Sequence, residues 1–213
     1  MNGSAGSAEE VVDVVFAVHG SAIAPDYAVP LWQALRMNLP WLAEEADAAV
    51  LPLARVAHTQ TALFLGRHSR LELRLPQRRV AAAQALCGRS LNLGEVVGYS
   101  GTLEIGAASL RSLRPTAVQY SSCVALSCAV EADFVSEAGR LLAQQGIDAQ
   151  LICGKAQTQS GAEGENPLQG FSLMLHGLSR EHSLCIQRSG LGAGRKLGWG
   201  IFVPHRSVAA VAN

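Results

Sequence analysis

The first ordered pattern along the chain is apolar and β-branched. Val11-Val12-Asp13-Val14-Val15-Phe16-Ala17-Val18 predicts a buried strand that ends at His19-Gly20. A loop through Ser21–Pro25 leads into a helix striped with Leu31, Trp32, Leu35, Leu39 and Leu42. Asp26 is one candidate cap for it, Pro30 in the first turn is the other mark of its start, and Pro40 is a kink or stop. Ala48–Leu53 reads as a short strand and Thr61–Leu65 as a strand or hairpin arm. Arg70-Leu71-Glu72-Leu73-Arg74-Leu75 alternates strictly, which predicts a strand with one wet face. Pro76 opens a helix over Gln77–Cys87 that Gly88 closes, and strand-like pieces follow at Ser90–Leu93, Glu95–Tyr99 and Thr102–Ile105.

The same order then recurs. Thr116–Val130 is a long strand-like run, and Glu131–Gln145 is an amphipathic helix, apolar at Phe134, Val135, Ala138, Leu141 and Leu142 and closed by Gly146. Asp148–Cys153 predicts a strand, Gly154–Pro167 a mobile loop, and Phe171–Leu178 another strand. Ser179 caps a helix over Arg180–Arg188, and Leu197–Val203 is the final strand, with a loose tail after Pro204. Each copy reads β-α-β-β-α-β, the ferredoxin-like unit of an antiparallel sheet with helices on one face. The predicted fold class is therefore α+β, tandem ferredoxin-like. Its expected domains are residues 11–114 and 115–205, preceded by a flexible N-terminus over 1–10.

Composition narrows the class. Apolar residues make up 49% of the 213 and charged residues 16%, enough for sizeable cores and too few charges for a disordered chain. No apolar run reaches the roughly 18 residues that span a bilayer, and residues 1–10 lack the basic start and apolar middle of a signal peptide. The expectation is a cytoplasmic protein with no membrane partner. Five cysteines at 87, 123, 128, 153 and 185 lack the paired spacing of a zinc site and read as free thiols. No metal and no cofactor is expected.

Net charge is zero, which does not favour a nucleic-acid binder, but a neutral total can hide a basic face. From Arg67 to Arg114 there are eight arginines against three acids, and from Ser179 to Arg206 five cations against one acid. These surpluses either form a basic face or scatter as solvated arginines. Arg78 and Arg79, at the start of the Gln77–Cys87 helix, are candidates to grip a phosphate backbone. The alternative for them is a solvated helix face.

The densest chemistry lies near the end, where Ser189–Gly200 forms a glycine-rich loop with Gly190, Gly192, Gly194 and Gly198 around Arg195 and Lys196. Exposed N–H groups and paired cations in such a loop suit a phosphate. The loop stands before a strand, so it is neither a Rossmann fingerprint nor a P-loop, both of which lie between a strand and a helix. A turn with no ligand is the plain alternative.

A tandem ferredoxin-like chain with Val12–Phe16 at its start, Asp26–Leu35 in its first helix, Ser69–Pro76 alternating and Gly190-Leu191-Gly192 to Gly198-Trp199-Gly200-Ile201-Phe202-Val203-Pro204 at its end resembles the RAMP superfamily of CRISPR-associated RNA-binding proteins. Within it, the chain resembles the repeat-cleaving endoribonucleases that process CRISPR precursor RNA, in their MYXAN type I form. The resemblance implies a metal-independent cut in which a general base activates a 2′-hydroxyl, leaving a 2′,3′-cyclic phosphate and a 5′-hydroxyl. It implies CRISPR repeat RNA as partner, with retention of the mature crRNA in a type I interference complex beside other subunits. In that family the catalytic residue sits where the first strand meets the first helix, which here offers His19 and Tyr27. Relatives carry a histidine near the position of Tyr27, so this chain departs from the pattern there. His58, in a predicted loop, is the third catalytic candidate; histidine suits proton transfer near neutral pH. Two other readings stay open: an RNA-holding subunit that does not cut, and a small-ligand protein on the same fold.

Overall fold

The computed structural model describes residues 9–95, 98–159 and 168–205. Residues 1–8 of the expected flexible N-terminus over 1–10, residues 160–167 of the expected loop over Gly154–Pro167 and residues 206–213 of the expected tail after Pro204 lie outside the described residues, as do 96 and 97.

Two antiparallel sheets carry the chain. The first takes β1 (Val11–His19), β3 (Ala49–Val50), β6 (Arg70–Pro76), β7 (Ser90–Asn92) and β8 (Thr102–Ser112) in the order β3-β6-β1-β8-β7. Removing the edge strand β7 leaves the ferredoxin-like order, with the first and third strands of the unit at the centre. Between β1 and β3 run α1 (Ala28–Asn38) and the single turn α2 (Trp41–Glu44), separated at Pro40. Between β6 and β7, residues 77–86 form a mixed 3-10 and α segment, with α3 (Val80–Ala83) at its middle. A small third sheet, β2 (Ala22–Ile23), β5 (Leu63–Phe64) and β4 (Ala57–His58) in the order β2-β5-β4, stands beside the first.

The second sheet repeats the ferredoxin-like order as β10-β11-β9-β12, from β9 (Val118–Val124), β10 (Gln150–Gln159), β11 (Leu168–His176) and β12 (Val203–Pro204). Its helices are α4 (Glu131–Gln144) and α5 (Arg180–Ser189), the latter capped by Ser179, whose Oγ accepts from the His182 N–H at 3.1 Å.

Each unit has its own core. Val12, Val14, Phe16 and Val18 alternate into one with Leu71, Leu73 and Leu75, under Leu31, Leu35 and Leu42 of the helices. Val124, Phe134, Leu142, Leu173, Leu175, Ile186 and Phe202 build the other.

Several boundaries differ from the sequence reading. The run expected to Val130 stops pairing at Val124, because Ala125 turns to bridge the glycine loop at Ala193. Residues 195–197 form a 3-10 turn, and of the expected Leu197–Val203 strand only Val203 and Pro204 pair. β10 runs on through Gln159, past a bulge between Cys153 and Ala156. Asp26 does not cap α1: Tyr27 holds the N-cap position and no side chain caps it, while Pro30 sits in the first turn.

The largest departure is the face of β6 expected to be wet. Arg74 is 1% exposed and Glu72 8%. The second unit covers them, and the charges are compensated in place. Register sets Asp13 opposite both Arg74 and Arg111, and Arg74 Nε donates to Asp13 Oδ1 at 2.7 Å. Its Nη1 crosses to the carbonyls of Gln187 at 2.9 Å and Phe202 at 2.8 Å. Arg111 pairs with Asp13 and Glu72. A buried charge is tolerated only with such partners, and here the partners join the two units.

Candidate active site

The glycine loop is built by close approach. Gly192 has φ 76°, and a Cβ there would lie 2.3 Å from the Ala125 carbonyl; at Gly190, φ 65°, one would lie 2.4 Å from that of Gly200. The freed space lets the loop dock on β9, with Ala193 N–H donating to Ala125 at 3.0 Å and Gly200 N–H to Cys123 at 2.7 Å. Leu191 donates to Gly200, and both Leu197 and Trp199 donate to Gly194. Much of the N–H surface that suggested an anion cradle is therefore used inside the loop. Trp199 is buried against Cys123 and Ala125.

Docking presents the 196–199 side of the loop to the first unit. There Lys196, Leu197, Gly198 and Trp199 meet Tyr27, Ala28 and Leu31 of the first helix region, Val50 of β3 with Leu51 and Pro52 after it, and Ser122, Cys123, Gln157 and Thr158 of the second sheet. They enclose a cavity of about 410 Å³. Two sequence candidates from opposite ends of the chain, Tyr27 and Lys196, thus share one wall.

Both have altered acidity. Burial pushes the Tyr27 phenol above its ordinary value, with the hydrogen bond from Leu53 opposing. Its oxygen accepts from the Leu53 N–H at 2.8 Å, which leaves the phenolic proton to donate elsewhere. Burial, then the charge of Arg195, pushes the Lys196 ammonium down to about 8 against the pull of Glu45 and Asp47. Lys196 Nζ donates to the Glu45 carbonyl.

Glu45 also organises the arginines. Its carboxylate takes both oxygens to Arg78 at 2.8 Å and one to Arg79 Nε at 2.8 Å, and the Arg79 bond first, then the two charges, hold it below the usual carboxylate range. Arg78 pairs with Glu9 as well, and Arg79 lies over the Trp41 ring at 5.0 Å. The structure thus places Arg78 and Arg79 in a neutralised cluster that adjoins Lys196. Arg195 is half-buried, its Nη2 donating to the Arg188 carbonyl at 2.7 Å at the end of α5.

The histidine candidates separate. His19 is exposed at the end of β1, opposite Glu104 and near Gly106, and is not part of the cavity wall. His58 lies in β4 with its backbone paired to Leu63 of β5, which in turn pairs with Ile23 of β2. The loop after β2 carries Pro25, Asp26 and Tyr27 into the cavity wall. Sequence reading named Tyr27 and Lys196 separately. The pairing of Lys196 with Glu45 had no local signal, since 151 residues part them.

The family model Cas6 Crispr matches residues 12–207. The chain is 37% identical over 203 residues to the CRISPR-associated endonuclease Cas6 of Myxococcus xanthus, covering 95% of this chain and 85% of that one. Among solved structures, a CRISPR-associated protein Cas6 superposes with a TM-score of 0.62 at 8% identity, over 92% of this chain and all of the other. Thermus thermophilus Cse3 bound to an RNA representing a pre-cleavage complex superposes at 0.52 and 14% identity, over 91% and 98%. At such identities the structural likenesses establish the tandem ferredoxin-like fold.

Proposed function

Because the chain belongs to the Cas6 family of CRISPR-associated endoribonucleases, we propose that the cavity between Tyr27 and Lys196 is where it cuts CRISPR repeat RNA. The single observation that carries this reading is the convergence in one cavity of a buried phenol with a free proton and an ammonium of lowered pKa. In the reaction, the 2′-oxygen attacks the adjacent phosphorus, the P–O5′ bond breaks, and the products carry a 2′,3′-cyclic phosphate and a 5′-hydroxyl. Three proton-handling tasks follow. A base takes the 2′-proton, a donor steadies the charge growing on the non-bridging oxygens, and an acid protonates the leaving 5′-oxygen.

Tyr27 suits the second task. Its raised pKa keeps it a neutral phenol, and its oxygen already accepts from Leu53. Lys196 suits the third, because an ammonium near pH 8 gives up its proton far more readily near neutrality than an ordinary lysine at about 10.4. Neither His19 nor His58 lines the cavity; the base is assigned to His58, whose strand pairs with β5 and, through it, with β2, from which the chain runs on to Tyr27 in the wall. The stem of the repeat would be held by shape and backbone contacts, as an A-form duplex requires. Arg78, Arg79 and Arg195 then act by positioning Glu45 and α5 around Lys196, and Gly190, Gly192, Gly194 and Gly198 by seating the loop. Retention of the product in an interference complex with other subunits follows the same family reading.

The test is to incubate the chain with end-labelled repeat RNA in EDTA and map the ends. One cut that leaves a cyclic phosphate, lost in H58A and kept in H19A, supports the assignment. Loss in H19A with full activity in H58A moves the base to His19. Binding without cutting would select the RNA-holding reading.

A further inference from the structure

The cations that the acids neutralise are not the ones nearest the small sheet. Arg74, Arg78, Arg79 and Arg111 all pair with carboxylates. Between Ala54 and Leu71 the chain holds Arg55, Arg67 and Arg70 and no acid at all. Among the described residues none of these three pairs with a carboxylate: Arg67 Nε donates to His68 Nε2 at 2.9 Å, and Arg70 Nη1 donates to the carbonyls of Arg67 and Ser69. Arg55 is exposed and held at φ 60°, a left-handed conformation rare outside glycine, with its carbonyl taken by Ser69 Oγ at 3.0 Å. The hydrogen bonds of Ser69 thus fold the Arg55 and Arg67–Arg70 segments into one corner.

That corner also carries the exposed aromatics. Of five phenylalanines, three tryptophans and three tyrosines, only Phe64 at 36% and Tyr99 at 41% are exposed. They pack edge to face with centroids 5.9 Å apart. Phe64 lies in β5 between Ala57 of β4 and Ala22 of β2. An apolar pair left open beside a segment that holds three arginines and no acid suits a ligand with flat faces and negative charge, and not an apolar protein surface.

We infer that Phe64 and Tyr99 form a stacking platform for an unpaired base in the single strand flanking the repeat stem, with Arg55, Arg67 and Arg70 along its phosphates. Stacking on aromatics accepts any base and is strengthened by neighbouring arginines. The platform serves the cavity directly. Ala22, beside Phe64, is five residues from Tyr27, at most about 17 Å of chain, or about five nucleotides at stacked spacing of roughly 3.4 Å. It would therefore fix the register of the strand at the cut while the stem is held elsewhere. This inference rests on the RNA-cleaving reading.

The experiment compares two RNAs, the repeat hairpin of the source organism with its unpaired flanks and the same hairpin trimmed to the stem, with 2-aminopurine placed in turn at each flanking position. The intact chain is expected to quench one flanking position, and F64A or Y99A to abolish that quenching. The flanked RNA should bind about five- to fiftyfold more weakly to these variants, a loss in the range expected for one stacked base, while the trimmed hairpin binds unchanged. F64L, which keeps apolar bulk in the sheet, should show the same loss, and F64W should restore binding. Equal weakening on both RNAs, no weakening on either, or no quenched position overturns the platform and leaves the cavity reading standing. Failure of the intact chain to bind any hairpin at low salt overturns both.

Discussion

At about 8, the Lys196 ammonium loses its proton inside the range in which cleavage is readily assayed. If it protonates the leaving oxygen, the active form is present below that pH and is lost above it. Single-turnover cleavage should therefore fall as pH rises through about 8. Folding moves the other way for this group. Between about 8 and about 10.4 the unfolded chain holds the extra proton, so its contribution to stability rises with pH. A falling rate there cannot be put down to unfolding by this residue. K196R, which keeps a cation at every pH, should bind RNA yet cleave slowly with the descending limb gone; a K196R limb like that of the native chain would remove Lys196 from proton transfer. Y27F should slow cleavage by about tenfold or more through loss of the phosphate donor. It also leaves the Leu53 N–H without its acceptor, which should cost about 1–3 kcal/mol in a denaturant titration.

The glycine loop is the element that sets the cavity, and its role differs from what glycines and cations in a row suggest. The N–H groups of Leu191, Ala193, Leu197, Trp199 and Gly200 are spent on the strand beside the loop and on the loop itself, and Arg195 holds the end of α5. Gly192→Ala combines a left-handed backbone with a contact of 2.3 Å to the Ala125 carbonyl, so about 1–3 kcal/mol of strain is expected, together with reduced cleavage as Lys196 is displaced. A thermal melt and a cleavage assay on the same sample check both. Most elements were legible, because the apolar, β-branched run of β1 and the amphipathic stripes of α1 and α4 are local signals of burial. The wet-face reading of Arg70–Leu75 failed because alternation reports polarity, and polarity equals exposure only where charges lack partners. Asp13 is 61 residues away from Arg74, and the accepting carbonyls of Gln187 and Phe202 are 113 and 128 away. Lys196 was visible as a cation beside Arg195, whose charge lowers its pKa, but the larger cause, its burial, has no trace in the local sequence.

Across the whole molecule, the cavity exists only while the two units stay in register, since Tyr27 comes from one and Lys196 from the other. Arg74 is the bond between them, buried on Asp13 and donating to two carbonyls of the second unit. R74A leaves Asp13 to Arg111 alone and should cost about 3–5 kcal/mol, the usual loss on breaking a buried pair. It should also separate one thermal transition into two, one per unit; a single unshifted transition would deny the latch. No helix among the described residues is long and apolar enough to cross a membrane. The most direct test of the cavity as the cutting site uses repeat RNA with sulfur in place of the 5′-oxygen at the scissile phosphate. That sulfur leaves without needing a proton. K196A should cleave ordinary RNA at least about a hundredfold more slowly than the native chain and cleave the sulfur-substituted RNA at nearly the native rate. An equal defect on both RNAs would contradict the account.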